Sequence, residues 1–399
     1  MFTDLPEPPD EVRDLWDSSM AERVGTMLDG EHRVAFLYRT PDTSTFRYRV
    51  ANTVDALNRT PGGRLRAGWF CDEELRALTR IVPELDAIVV ARYPWGAALR
   101  ELVQKAEAHD VPLVFDCDDL VFDVGFAELV MSSLGKDQDV HAEWDVWFAY
   151  MGRLNASLAA CRAATTTNAL LASRLADYVA DGAAVVPNVM NRTQQAYSRE
   201  LLDAKVAGGF RRSGPVTVGY FSGTPSHVRD FAIASPALAR LLDEDDDVSV
   251  RIVGYLDDLG ALEPHRERVE FQKFMHYVEL QRSIAEVEVN IAPLSHTPFN
   301  ICKSDLKFFE AAAVGTWTVA SHTPSLDEAI DDGVTGRLAK AHEWDGALRE
   351  AVDLARDAQA YADRVAPAAE GAHRRWAWDS VAEPLTQALQ PWLGRRRSR

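Results

Sequence analysis

Between Val287 and Ser321 the chain changes hydrophobic period twice, and few architectures accommodate that order. Val287, Val289, Ile291 and Ala292 form a short β-rich apolar run that stops at Pro293, as a buried parallel strand does at the edge of its sheet. From about Ser304 the apolar residues Leu306, Phe309, Ala312 and Ala313 fall at helical spacing, and Gly315 offers the left-handed turn that ends a helix. Thr316 to Ser321 is strand again. The loop and first helical turn of this strand-loop-helix-strand unit carry Cys302, Lys303, Ser304 and Lys307, with Glu310 on or near the lysine face. Lysines beside free helix amides attract phosphate, and a carboxylate one to two turns further accepts hydrogen bonds from ribose hydroxyls. The stretch reads as a nucleotide-diphosphate site. On purely structural terms Lys307 and Glu310 are an i,i+3 pair on a solvated helix face.

The same alternation runs through the rest of the chain. Candidate strands at Arg33 to Tyr38, Leu65 to Phe70, Ala87 to Ala91 and Leu113 to Asp116 are separated by helical or loop sequence, which predicts a parallel, doubly wound α/β sheet. With 399 residues the chain is too long for one ordinary core. We divide it into residues 1–190, a polar linker over 191–214, a second domain over 215–370, and a terminal segment over 371–399. An N-terminal helix is expected from Asp10 to Leu28. Trp144, Trp147, Phe148, Met151, Leu154 and Leu158 recur at three- and four-residue intervals and are expected in the core.

Ligands of an open α/β sheet bind at the carboxyl ends of its strands. In the first domain that edge carries Arg47 and Arg49 after the first strand, and Asp116, Asp118 and Asp119 after the fourth. In the second domain it carries the small-residue loop Ser222, Gly223 and Thr224, followed by His227 and Arg229, where backbone amides approach a phosphate. Phe274, near the end of a later strand, is a candidate to line a base pocket.

Net charge of -18 argues against nonspecific nucleic-acid binding and against a broad hold on anionic lipid. No apolar run reaches bilayer length, and Met1 to Pro9 has neither a basic region nor an apolar one, so a cytoplasmic location is expected. The basic cluster Arg395 to Arg399 reads as a frayed tail, with peripheral membrane contact as the other reading. Cys71, Cys117, Cys161 and Cys302 show no CxxC and no paired histidines, so neither a disulfide framework nor a zinc site is suggested.

Lys307-Phe308-Phe309-Glu310-Ala311-Ala312-Ala313-Val314-Gly315, followed by Thr318 to Ser321 and by Glu328 to Gly336 (EAIDDGVTG), resembles the signature of glycosyltransferases of the GT-B fold, in particular the retaining family 4 (glycosyl transferases group 1). The resemblance is strong from Gly219 to Gly336 and weaker before it. It implies two facing Rossmann-like domains with an interdomain cleft, the acceptor held by the first domain and the nucleotide sugar by the second, and a terminal helix crossing back to the first. In that family two glutamates stand eight residues apart. Glu310 matches the second, which holds the ribose, whereas the first falls on Cys302. Arg229 takes the place of a diphosphate lysine and Gly223 falls near an arginine position. The resemblance further implies glycosyl transfer from a nucleoside-diphosphate sugar to a small-molecule, glycan or protein acceptor, with retention of configuration. Lys303 and Arg229 would stabilise the leaving diphosphate in place of a metal, and no cofactor is called for. Asp116-Cys117-Asp118-Asp119 then falls on the acceptor side of the cleft or is structural. Two other readings share the fold: a nucleotide-sugar epimerase using Asp116, Asp118 and Asp119 as acid and base, and a catalytically silent nucleotide-sugar-binding subunit.

Overall fold

The computed structural model describes residues 1–223, 228–256 and 258–393. Its strands are β1 (His32–Leu37), β2 (Leu65–Phe70), β3 (Ala87–Ala91), β4 (Leu113–Asp116), β5 (Ala163–Thr166), β6 (Ala183–Val185), β7 (Val216–Ser222), β8 (Val248–Gly254), β9 (Val269–Gln272), β10 (Val289–Ala292), β11 (Trp317–Ser321) and β12 (Arg337–Ala339). They form two six-stranded sheets, ordered β2-β1-β3-β4-β5-β6 and β12-β11-β10-β7-β8-β9, parallel throughout. Helices cover both faces of each sheet, so strand residues are apolar on both sides: Val34 and Phe36 enter one core cluster and Ala35 and Leu37 another. Strand order reverses between β1 and β3 in the first sheet and between β7 and β10 in the second. Those two switch points are where a crevice opens in such sheets.

Both ends of the described chain cross between the domains. Phe2 and Leu5 are buried in the second-domain core, where the Phe2 ring lies 6.3 Å from Phe210 and 6.0 Å from Tyr361. The segment then passes Trp16, which packs against Phe46 of the first domain at 6.3 Å and Tyr277 of the second at 6.2 Å. The expected helix from Asp10 is therefore shorter, Met20–Leu28, and starts where Ser19 and Glu22 form a reciprocal capping box. At the other end, helix Ala358–Arg375 packs on the second domain, Trp376 stacks at 5.5 Å on Phe309, and helix Ala382–Leu389 returns to the first domain through Leu385, Leu389 and Trp392. The Arg395 to Arg399 cluster lies outside the described residues.

Two other expectations change. The stretch read as a polar linker is mostly helix, Arg192–Ala207, capped by Asn191 and buried against the second domain through Tyr197, Leu201 and Leu202. Those three share the inner face with buried Gln194, Ser198 and Lys205, a mixture that composition alone reads as loop. The aromatic stripe of helix His141–Ala159 is core only in its second half. Met151, Leu154 and Leu158 are buried, whereas Phe148 is 45% exposed and Val146 62% exposed. In the first half Trp144 and Trp147 are only half-buried, with Trp147 at the margin of the first-domain core, so helical period there marks a helix that touches the core at its edge.

Candidate functional site

The carboxyl ends of β7 and β8 close tightly on one another. Gly254 has φ +95°, and a Cβ there would meet the Ser222 carbonyl oxygen at 2.0 Å, so no other residue fits without moving a strand end. Beside this edge lies a cavity of about 280 Å³. Ser222, Gly223, Phe274, Lys307 and Glu310 line it from the second domain, and Thr43, Ser44 and Arg47 from the first. Five of the donor-side residues named from the sequence thus share one cavity. Thr224 and His227 lie outside the described residues.

Glu310 sits in the short helix Leu306–Ala312, which ends as expected before Gly315 at φ +63°. The Tyr48 hydroxyl donates to its Oε1, and Gln194 Nε2 donates both to the Tyr48 oxygen at 3.1 Å and to Glu310 Oε1 at 3.4 Å. Burial raises the Glu310 pKa, opposed by the nearby Arg47 and Lys307 charges and by the Tyr48 and Gln194 hydrogen bonds. Burial and the Glu310 charge also push the Tyr48 phenol well above its ordinary range, so Tyr48 remains a donor. Lys307 donates from Nζ to the Phe221 carbonyl at 3.0 Å and lies 4.8 Å from the Tyr220 ring centre. Burial lowers its pKa to about 8. Phe274, 62% exposed, pairs with Tyr255 at 5.9 Å and forms an aromatic ledge at the rim. The chemistry of the cavity is thus a cation, a fixed carboxylate and an exposed ring, which matches phosphate, polyol and base.

Tyr48 reaches Glu310 through an irregularity of its helix. Ser44–Phe46 and Asn52–Arg59 are α-helical, but Arg47–Ala51 between them is a π-turn, a form that recurs at functional sites. Three consecutive residues there take separate tasks. Arg47 enters the cavity, Tyr48 binds Glu310, and Arg49 turns inward to Asp116. Sequence reading named both arginines and passed over the tyrosine between them.

Arg49 and Asp116 are both buried and form a two-pronged pair, Nε to Oδ1 at 3.0 Å and Nη2 to Oδ2 at 2.6 Å. Thr165 Oγ1 donates to Asp116 at 2.7 Å, and Arg49 Nη1 also donates to the Val186 carbonyl and to Asn188 Oδ1. These two acceptor-side candidates are therefore a strut of the first domain. Asp118 and Asp119 are nearer the cleft: Arg92 Nη1 donates to both, at 3.0 and 3.1 Å, and Thr45 Oγ1 donates to Asp118 at 2.8 Å. Arg92 itself has φ +43°, a strained position for a side-chain-bearing residue.

The remaining donor-side candidates meet the first domain instead of the cavity. Cys302 is fully buried in the first-domain apolar cluster beside Phe299, and Asn168 Nδ2 donates to its carbonyl at 2.7 Å. Burial raises the pKa of its thiol. Its expected place at a donor pocket is corrected: an apolar seam suits a thiol better than a carboxylate. Ser304 Oγ accepts from Asn188 at 3.2 Å, and Lys303 Nζ lies 3.6 Å from Asp119 across the cleft. Arg229 Nη1 donates to Ser132 of the first domain at 2.5 Å. Asp230 beside it is buried and accepts from the Ser295 amide and hydroxyl and from Asn300, which pins the loop after β10 to helix Val228–Glu244.

Residues 216–357 match the model of the family described as glycosyl transferases group 1. No curated protein matches the chain. Among solved structures it resembles HepE from Anabaena in complex with UDP and glucose, at 15% identity and a TM-score of 0.58, over 90% of this chain and 99% of the other. It also resembles sucrose-phosphate synthase from Thermosynechococcus elongatus, at 14% identity and a TM-score of 0.55, over 90% of this chain and 98% of the other. A glycosyltransferase from Rickettsia africae gives 9% identity and a TM-score of 0.58 over 90% and 98%. The fold is that of the GT-B glycosyltransferases, as the sequence led us to expect. Among the described residues no helix is long and apolar enough to cross a membrane.

Proposed function

We propose that the protein transfers a glycosyl group from a nucleoside-diphosphate sugar to an acceptor hydroxyl, with retention of configuration and without a metal. The observation that carries this reading is Glu310: a buried carboxylate fixed by Tyr48 and Gln194 lines the same cavity as Lys307 and Gly223, at the switch point of the second sheet. Glu310 holds the ribose hydroxyls, Lys307 and the loop at Ser222 and Gly223 receive the diphosphate, and the Phe274 ledge receives the base. As the bond from the anomeric carbon to the diphosphate oxygen breaks, the acceptor oxygen bonds that carbon on the same face and its proton passes to the departing phosphate. The acceptor enters past Asp118, Asp119 and Arg92, opposite Lys303 and Arg229. Their positive charge favours departure of the diphosphate. UDP, the nucleotide held in the HepE structures, is the first ligand to try.

Cys302 favours a second reading, a nucleotide-sugar-binding subunit without turnover. No carboxylate stands at that position, and the neighbouring Asp305 faces Trp376 Nε1 at 3.0 Å. One experiment separates the two. The full chain is titrated calorimetrically with UDP, ADP and GDP, then incubated with the matching nucleotide sugars, and the release of nucleoside diphosphate is followed. Slow hydrolysis, faster with acceptor, supports the transferase. Binding with no release in any mixture supports the silent subunit, and no binding overturns both. Proton NMR of the first-formed product reads the anomeric configuration.

A further inference from the structure

Among the cations of the cleft, Arg47 differs from the rest. Arg49 is paired with Asp116, Arg92 with Asp118 and Asp119, and Lys303 lies against Asp119. Arg47 lies between two rings, its guanidinium carbon 4.8 Å from the centre of Tyr48 and 4.7 Å from that of Tyr277. Its Nε is buried with no hydrogen-bond partner. Asp42 and Glu310 line the same cavity, yet among the described residues neither comes within ion-pair distance of Arg47. Contact with the ring faces attracts the guanidinium charge and satisfies none of its five N–H donors. A cleft that leaves such a group short of acceptors, while setting Arg49, Arg92 and Lys303 against carboxylates, is shaped for an anion from outside.

We infer that Arg47 is an anion-binding residue of the donor site, supplied by the first domain to the diphosphate of the nucleotide. This rests on the nucleotide-sugar reading and moves Arg47 from the acceptor side, where the sequence placed it, to the donor side. It has a structural corollary. Lys307 and Glu310 belong to the second domain and Arg47 to the first, so the nucleotide itself ties the domains together. A planar fork meets phosphate oxygens two at a time, which a lysine at the same place does not reproduce.

The test measures UDP affinity by calorimetry, and uridine affinity by competition or ligand-observed NMR, for the wild-type chain, Arg47→Ala and Arg47→Lys. UDP affinity is expected to fall tenfold or more in Arg47→Ala and to recover only in part in Arg47→Lys, with uridine affinity within twofold of wild type throughout. Arg47→Gln, which keeps the stem between the rings, is read in the same way if Arg47→Ala does not fold. UDP affinity unchanged in these variants overturns the inference alone. An equal loss for UDP and uridine also overturns it, because Arg47 then shapes the pocket rather than binding phosphate. A wild-type chain that binds none of UDP, ADP and GDP overturns the nucleotide reading and this inference with it.

Discussion

The two sheets share one plan and differ at their switch points. In the first, apart from Arg47, the charges at the strand ends satisfy one another: Arg49 grips Asp116, and Arg92 spans Asp118 and Asp119. In the second, Glu310 and Lys307 line a cavity and are held only by neutral partners, a phenol, an amide and a carbonyl. The difference separates charge that builds a fold from charge that awaits a ligand. A buried ion closed on its counter-ion has no capacity left, whereas one held by neutral groups keeps most of its charge for whatever enters.

The largest test removes half of the closed pair. Arg49→Met leaves Asp116 buried and uncompensated and should cost about 3–5 kcal/mol of unfolding free energy, measured by urea denaturation. A loss below about 1 kcal/mol would show that the pair is not the strut described here. Glu310→Ala should do the opposite: nucleoside-diphosphate affinity drops by about 2 kcal/mol, roughly 30-fold, with a smaller change in unfolding than in Arg49→Met. If calorimetry finds affinity within twofold of wild type, Glu310 is no ribose ligand.

A pH series sharpens the same contrast. Lys307 has a folded pKa of about 8, so its charge is present below that pH and lost above it. UDP affinity should fall by about tenfold between pH 7 and pH 9.5, the scale of a 1.4 kcal/mol change, and Lys307→Gln should flatten the profile. An unchanged alkaline limb in that variant would assign it to another group. The smallest effect concerns Asp305, whose pKa burial raises to about 6. An acid raised in the folded state contributes its stability below its unfolded pKa of about 4 and loses it as pH rises through about 6. Asp305→Asn, which can still accept from Trp376, should therefore gain about 1 kcal/mol at pH 8 and nothing at pH 4. Equal gains at both pH values would show that the carboxylate charge is not the cause.

Much of the architecture was legible because it is written in local period. Apolar runs around β7, β10 and β11, with Gly315 between, mark strand and helix within a few residues, and they placed Lys307, Glu310, Gly223 and Phe274 in one cavity. Partners across the cleft left no such mark. Tyr48 meets Glu310 over a sequence separation of 262 residues, and Gln194 lies in a stretch whose polarity reads as linker. A π-turn is invisible to helical period, so the division of tasks among Arg47, Tyr48 and Arg49 emerges only in three dimensions. Cys302 misled for a related reason: a motif position carries over a backbone location, while the apolar cluster that receives the side chain is assembled from the other domain.

Residues at both extremes of the described chain complete a core that belongs mostly to distant sequence. Phe2 and Leu5 lie in the second-domain core, and Leu385, Leu389 and Trp392 join the cluster that helix Asn52–Arg59 forms on one face of the first sheet. Domains usually fold one after another as the chain emerges during synthesis, at about 5–20 residues per second. Here β1 to β6 and the helix Asn52–Arg59 that covers one face of their sheet are all made early, yet the cluster on that face is complete only when Trp392 has emerged, and the opening segment waits for β7 to β10. The nascent first domain must carry that incomplete cluster through synthesis of the whole second domain, a delay of roughly ten seconds or more at those rates. The closing helix thus sets when the first domain's packing is finished, as well as strapping the two domains together.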